Sequence, residues 1–200
     1  MTIVDLAPRG KGISVFAVDP GQTTGWAWCL LGHKEIRERG VEGSIAAALR
    51  ARSGTQLADR RWAWGQIPCH YTGGTEAIGV DEWQAAERLI STMEMCGEMG
   101  DRISGGAVPA ITAVVVEDFV LRQRTMTRDL LSPVRITAAF YVLMCQHRWR
   151  FSVHLQSASD KATINDERLK RLGLWAKGEQ HARDANRHLA LYLRKRRTGL

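Results

Sequence analysis

The chain has 200 residues, of which 44% are hydrophobic, and this length favours a single domain with one substantial core. Its formal net charge of +7 favours polyanionic partners, and nucleic acid is the first candidate among them. The four cysteines form no CxxC pair, and the sequence shows neither an apolar run of about 20 residues nor a secretory signal, so we expect a soluble cytoplasmic protein without a zinc finger or a disulfide framework.

The first part of the chain predicts a β-hairpin. Ile13 to Val18 is an apolar, β-branched run that ends at Asp19, directly before a Pro-Gly turn. The apolar run from Gly25 to Leu31 follows closely enough to return beside it as an antiparallel partner. Arg61 to Ile67 carries aromatic residues and stops at a proline, which predicts a third strand. Residues 32–60 are then an insertion, in which the segment 44–52 predicts a short helix.

The second part of the chain alternates helices and strands. Apolar spacing predicts a helix that is capped by Asp81 and ends between residues 97 and 106. The apolar run 111–116 predicts a buried central strand that ends at Glu117 and Asp118. Ser132 and Pro133 predict the cap and first residue of a helix that continues to residue 147.

Three further elements complete the prediction. Residues 151–155 form a fifth strand, Asp166 caps a short helix that Gly173 closes, and a last helix runs from His181 to Arg194. This order of elements predicts a mixed α/β domain with helices on both faces of the sheet.

Acidic side chains end two of the apolar strands. Asp19 and Glu117 stand where α/β sheets place their active sites, and parallel neighbouring strands, about 4.8 Å apart, would bring the two carboxylates close enough to share metal ions. On the last helix, His181 and Asp184 share one face, with His188 a turn further on. Each residue alone could be an ordinary turn, strand-end or solvated position. Their combination favours one site.

Such a donor set suits Mg²⁺ or Mn²⁺ better than zinc, because hard oxygen ligands dominate it. We expect two ions, of which one activates the attacking water and the other stabilises the leaving 3′ oxygen of a phosphodiester. The predicted chemistry is metal-dependent hydrolysis of nucleic acid.

Three segments, VDPGQTTGWA (18–27), VVVEDF (114–119) and HARDANRHLALYL (181–193), make the chain resemble the RuvC-like Holliday junction resolvases of the RNase H-like superfamily, particularly bacteriophage forms. The resemblance implies an RNase H-like mixed five-stranded sheet, with the first three strands antiparallel and the last two parallel to the first. It also implies that Asp19, Glu117 and Asp184 bind metal. His181 stands where the family has aspartate or histidine, and it could ligate a metal or move a proton.

The resemblance also suggests contacts with DNA. Lys161 follows the fifth strand and is a candidate phosphate contact, although a solvated loop lysine would look the same. Phe119 could stack on a junction base or lie in the core. Arg122 and Arg124 add positive charge close behind Glu117.

The family implies a homodimer acting on branched DNA, in the host cytoplasm if the chain is phage-encoded. The helix 133–146 could form the dimer surface or belong to the core. The insertion at 32–60 and the strand WAWGQIP depart from the cellular enzymes, which leaves room for cleavage of flaps or forks.

Three other functions remain as alternatives. DPGQTTG also resembles the phosphate loop of sugar kinases and actin-like ATPases, but 200 residues supply no second domain of comparable size. Ribonuclease H activity would use the same fold and metals. A non-catalytic junction-binding protein would not need the acids that this chain retains.

Overall fold

The fold is a mixed sheet with helices on both sides, as seen in the computed structural model, which describes residues 11–50, 60–69, 80–108, 110–118, 128–147 and 151–196. In chain order the elements are β1 (Gly12–Asp19), β2 (Thr23–Gly32), α1 (His33–Arg50), β3 (Trp62–Pro68), α2 (Val80–Ser104), β4 (Ala113–Asp118), α3 (Arg128–Gln146), β5 (Ser152–Ser157), α4 (Ala158–Lys161), α5 (Asp166–Leu172) and α6 (Gln180–Arg196). Within the described ranges, no helix is long and apolar enough to cross a membrane.

The five strands lie in the order β3-β2-β1-β4-β5. β1 pairs antiparallel with β2, and β2 pairs antiparallel with β3. β4 runs parallel to both β1 and β5. The predicted sheet is therefore confirmed, and its central strands β1 and β4 are mostly apolar up to their acidic carboxyl ends because helices cover both of their faces.

The two faces of the sheet carry separate hydrophobic clusters, because successive side chains of a strand point to opposite sides. Val15 and Ala17 of β1 pack into the cluster formed with α1, α5 and α6. Phe16 and Val18 pack into the cluster formed with α2 and α3. Asp19 continues the alternation on the side of α6.

A buried polar network fixes the register of β1 and β4 at the end of the sheet away from Asp19. Ser14 N–H donates to Thr112 Oγ1 at 3.0 Å, and Thr112 N–H donates to Ser14 O at 2.7 Å. Trp28 Nε1 donates to Ser14 Oγ at 2.9 Å, and this hydroxyl in turn donates to Ala110 O. These bonds satisfy polar groups that burial would otherwise penalise.

Three helix starts predicted from caps are wrong. α3 begins at Arg128, so Pro133 lies inside it, and Ser132 is buried within the helix instead of capping it. Packing of the apolar face of α3 on α2 outweighs the one hydrogen bond that the proline removes. Asp81 likewise lies inside α2 and does not cap it. In α5 the cap is Asn165, one residue before the predicted Asp166, and its side chain accepts from Arg168 N at 2.9 Å.

Two further helices, α1 and α4, differ from the prediction. α1 begins at His33, well before the predicted 44–52, and Gly40 interrupts it with a positive φ of 69°. The interruption hides the helical periodicity of its charged first part. Lys161 lies on a helix of four residues, α4, which is too short to show a periodic pattern.

Candidate active site at the ends of β1 and β4

Two buried carboxylates lie side by side at the carboxyl ends of the central parallel strands. Val18 of β1 pairs with Val116 of β4, and Asp19 and Glu117 follow these two residues. Both acids occupy the side of the sheet that α6 covers. Asp19 is only 4% exposed and Glu117 only 6%, so their negative charges need partners within the protein.

α6 supplies the third carboxylate because it lies directly against β2. A Cβ atom at Gly25 of β2 would stand 1.9 Å from His181 O, so only glycine permits this approach. Gln66 of β3 accepts a hydrogen bond from His181 N at 3.0 Å and satisfies a first-turn amide of α6. With α6 held there, Asp184 and His188, one helical turn apart, face the two strand acids.

Lys161 joins the three carboxylates from the end of α4. Its Nζ lies 3.1 Å from Asp19 Oδ1, 2.9 Å from Glu117 Oε2 and 3.2 Å from Asp184 Oδ2. One oxygen from each of three separate elements therefore points at a single positive charge. This arrangement of oxygens defines a cation-binding point.

The two strand acids have further partners on α6. His181 Nδ1 lies 2.9 Å from Asp19 Oδ2. His188, which is fully buried, places Nε2 3.1 Å from Glu117 Oε2 and Nδ1 3.0 Å from Gln156 Oε1. The side-chain amide of Gln156 thereby orients the His188 ring, and the ring in turn orients Glu117.

Arg187 is the further partner of Asp184. Its guanidinium forms ion pairs with Asp184 and Asp166, and its Nε donates to Ile164 O at 3.0 Å. Lys161, Asp184 and Arg187 also line an open groove of about 570 Å³ beside the carboxylates. The groove gives solvent and larger molecules access to the site.

Burial and pairing shift the protonation of these groups in different directions. Burial raises the pKa of Asp19 to about 6, although His181 and Lys161 oppose the shift. Burial also acts to raise the pKa of Glu117, but hydrogen bonds, first from His188 and then from Asp19 and Lys161, outweigh it and hold the pKa well below its usual range. The hydrogen bond to Asp19 raises the pKa of His181. Near neutral pH both strand acids are therefore largely ionised.

The structure brings together five of the predicted residues, namely Asp19, Glu117, Lys161, His181 and Asp184. The other three, Phe119, Arg122 and Arg124, lie outside the described residues.

The sequence prediction noted His188 a turn beyond His181 and Asp184 but gave it no role, and it did not include Arg187. The spacing of Arg187 and His188, three and four residues from Asp184, was the available signal, because it puts all three on one helical face. No such signal marked Gln156 and Gln66, because their strands, β5 and β3, bring them to the site only when the sheet has formed.

The donor atoms can hold a divalent metal. Ligand atoms of Asp19, Glu117 and His188 all lie within 4.8 Å of one another. Asp184 Oδ2, which also contacts Lys161, adds a carboxylate oxygen at the same cation-binding point. A set made mainly of carboxylate oxygens suits a hard divalent cation.

Comparison with solved structures identifies the architecture. No protein-family model matches the sequence, and no curated protein does. Thermus thermophilus RuvC is similar in structure, with 15% sequence identity and a TM-score of 0.52 over 94% of this chain and 97% of that one. Thermus thermophilus RuvC in complex with a Holliday junction substrate matches with 14% identity and a TM-score of 0.53 over 94% and 96% of the two chains. The chain therefore has the RNase H-like fold of RuvC.

Proposed function

We propose that this protein is a metal-dependent DNA endonuclease that cleaves four-way junctions and other branched DNA. The observation that carries the proposal is the convergence of one oxygen each from Asp19, Glu117 and Asp184 on a single cation. The RuvC fold and the net charge of +7 support DNA as the substrate. Residues 1–200 would form one nuclease domain, in which 32–60 is an insertion.

In this proposal the three carboxylates and one or both histidines hold two divalent ions, Mg²⁺ or Mn²⁺. When bound, such ions supply an activated water and stabilise the leaving 3′ oxygen. His181 lies against Asp19 and is exposed on one side, so it can ligate an ion or carry a proton. His188 lies against Glu117 from the buried side, so it can position this carboxylate or offer a ligand atom of its own.

Contacts with the DNA backbone would come from cationic side chains beside the groove. Lys161 lines it and is the candidate for contact with a phosphate oxygen. Arg122, Arg124 and Phe119 stay predictions from the sequence.

A homodimer would place two such sites across a branched substrate. Val134 and Val142 of α3 are 37% and 48% exposed, which supports α3 as part of the contact between subunits. Sedimentation velocity measures the subunit number directly. A bacteriophage origin and action in the host cytoplasm stay predictions from the sequence resemblance.

The decisive experiment compares Asp19→Asn with the wild type on a four-way DNA junction, a flap and an RNA–DNA hybrid. We expect the wild type to cleave the junction in Mg²⁺ or Mn²⁺. Asp19→Asn should keep junction binding but lose at least about 1,000-fold in cleavage rate, because the ions lose a ligand. Asp118→Asn is the matched control, since this neighbouring acid is exposed at the end of β4 and should leave cleavage unchanged.

Each alternative has its own outcome in this experiment. Unchanged cleavage by Asp19→Asn would remove the proposed site. Cleavage of the hybrid alone would indicate a ribonuclease H. Binding of the junction without cleavage by the wild type would indicate a non-catalytic junction-binding protein.

A further inference from the structure

Lys161 lies at the point where a metal would be expected. Its side chain is 24% exposed, whereas those of Asp19 and Glu117 are only 5% and 8% exposed, so its stem enters from the surface and its ammonium reaches into the buried acids. We propose that Lys161 is an internal counter-ion that occupies the cation-binding point until a divalent metal displaces it. This inference rests on the metal site of the proposed function.

The oxygens that Lys161 holds are the ones that a metal would need. On Asp19 the second oxygen is bound to His181, and on Asp184 the second oxygen is bound to Arg187. On these two acids the oxygens that remain for an ion at the shared point are those in contact with Nζ, and on Glu117 one oxygen, Oε2, contacts both Nζ and His188 Nε2. Lysine and metal therefore compete for the same atoms.

Electrostatics requires a cation at this point and disfavours two. Three carboxylates that are each less than 10% exposed repel one another, and the positive charge of Lys161 relieves that repulsion. These carboxylates also raise the pKa of the lysine, against the effect of its burial, so it stays charged. A divalent ion bound to the same oxygens would repel the ammonium strongly, since water screens little of the interaction in a buried site.

The displaced ammonium has a place to go. Lys161 also lines the open groove beside the carboxylates, and four flexible methylene groups carry its charge. A shift into the groove would move the ammonium from the carboxylates toward solvent or toward a phosphate of bound DNA. One lysine would then stabilise the metal-free protein and contact DNA in the metal-bound protein.

Calorimetric titration of the intact protein with Mn²⁺ tests the competition. The titration is run at pH 8, above the pKa of about 6 for Asp19, so that the acids are ionised. We expect Lys161→Met to bind Mn²⁺ at least about tenfold more tightly than the wild type, because the ion no longer displaces a cation. In the metal chelator EDTA the same variant should have a lower melting temperature, because the three acids lose their counter-ion.

Lys34→Met is the matched control. Lys34 is 79% exposed and pairs with Glu38 on α1, so its replacement should change neither measurement. Lys161→Gln, which keeps a polar side chain without the charge, should tighten Mn²⁺ binding in the same direction as Lys161→Met.

The failures of the two proposals can be told apart. If both Lys161 variants bind Mn²⁺ with wild-type or lower affinity, the lysine does not compete with the metal and this inference is wrong, while the metal site stands. If neither the wild type nor the variants bind Mn²⁺, the metal site of the proposed function is itself wrong.

Discussion

The two halves of the candidate site are positioned in different ways. Asp19 and Glu117 form the strand-borne half, whose place follows from the backbone pairing of β1 and β4. His181, Asp184 and His188 form the helix-borne half, whose place depends on how α6 lies against β2 and β3. Backbone pairing tolerates most changes of side chain, whereas the position of the first turns of α6 depends on specific contacts with β2 and β3. Substitutions in β2 and β3 should therefore disturb the helix-borne half alone.

Among substitutions that test the docking of α6, Gly25→Ala should have the largest effect. The added Cβ would overlap the backbone of His181, so α6 must move away from β2. We expect the free energy of unfolding to fall by about 3 kcal/mol, as for other overpacked sites, and Mn²⁺ affinity to fall with it. Urea unfolding and calorimetry measure the two quantities. Gly21→Ala is the control, because its Cβ would meet nothing closer than 3.4 Å. Equal losses in both variants would contradict the special role of Gly25.

Trp62→Phe should have the second largest effect. Trp62 Nε1 donates to Asn186 Oδ1 at 3.0 Å across the buried contact between β3 and α6. The phenylalanine leaves the Asn186 oxygen without this partner, which should lower the free energy of unfolding by about 2 kcal/mol. Trp83→Phe removes an exposed bond to Glu87 and should change unfolding much less. Similar losses in both proteins would show that the bond between β3 and α6 does not hold the helix.

Gln66→Met should have the smallest effect on stability and a selective effect on the site. It removes the acceptor for His181 N, at a cost of about 1 kcal/mol, and loosens the first turn of α6. We expect Mn²⁺ affinity to fall severalfold. Gln66→Glu keeps a carboxyl oxygen for the same amide and should retain most of the affinity. A Gln66→Met protein with wild-type affinity would show that this turn does not depend on β3.

The difference between the strand-borne and helix-borne halves also explains which site residues could be predicted from the sequence. Asp19 and Glu117 end apolar runs that are typical of central strands, so their convergence followed from the order of the strands. His181 and Asp184 followed from helical spacing and from the resemblance to RuvC-like proteins. Gln66 could not be predicted, because it lies 115 residues from His181 and meets it only after the sheet and α6 have packed.

Local rules failed where packing outweighs them. Ser132 and Pro133 have the pattern of a helix start, yet burial of the face of α3 that contains Ile136 and Phe140 extends the helix before the proline. Gly40 interrupts α1, so the apolar residues of this helix do not follow one continuous helical spacing in the sequence. Lys161 could be placed near the site from its position after β5, but its contacts with all three acids depend on the tertiary structure.

The register network at the far end of the sheet has a consequence for biosynthesis. Ser14 and Thr112 are 98 residues apart, so a nascent chain cannot pair β1 with β4 until more than half of it has left the ribosome. Even then it holds Asp19 and Glu117 without Lys161 or Asp184. The acids gain their counter-ion and third partner only after α4 and α6 have emerged. No incomplete nascent chain that stops short of α6 can carry a complete site.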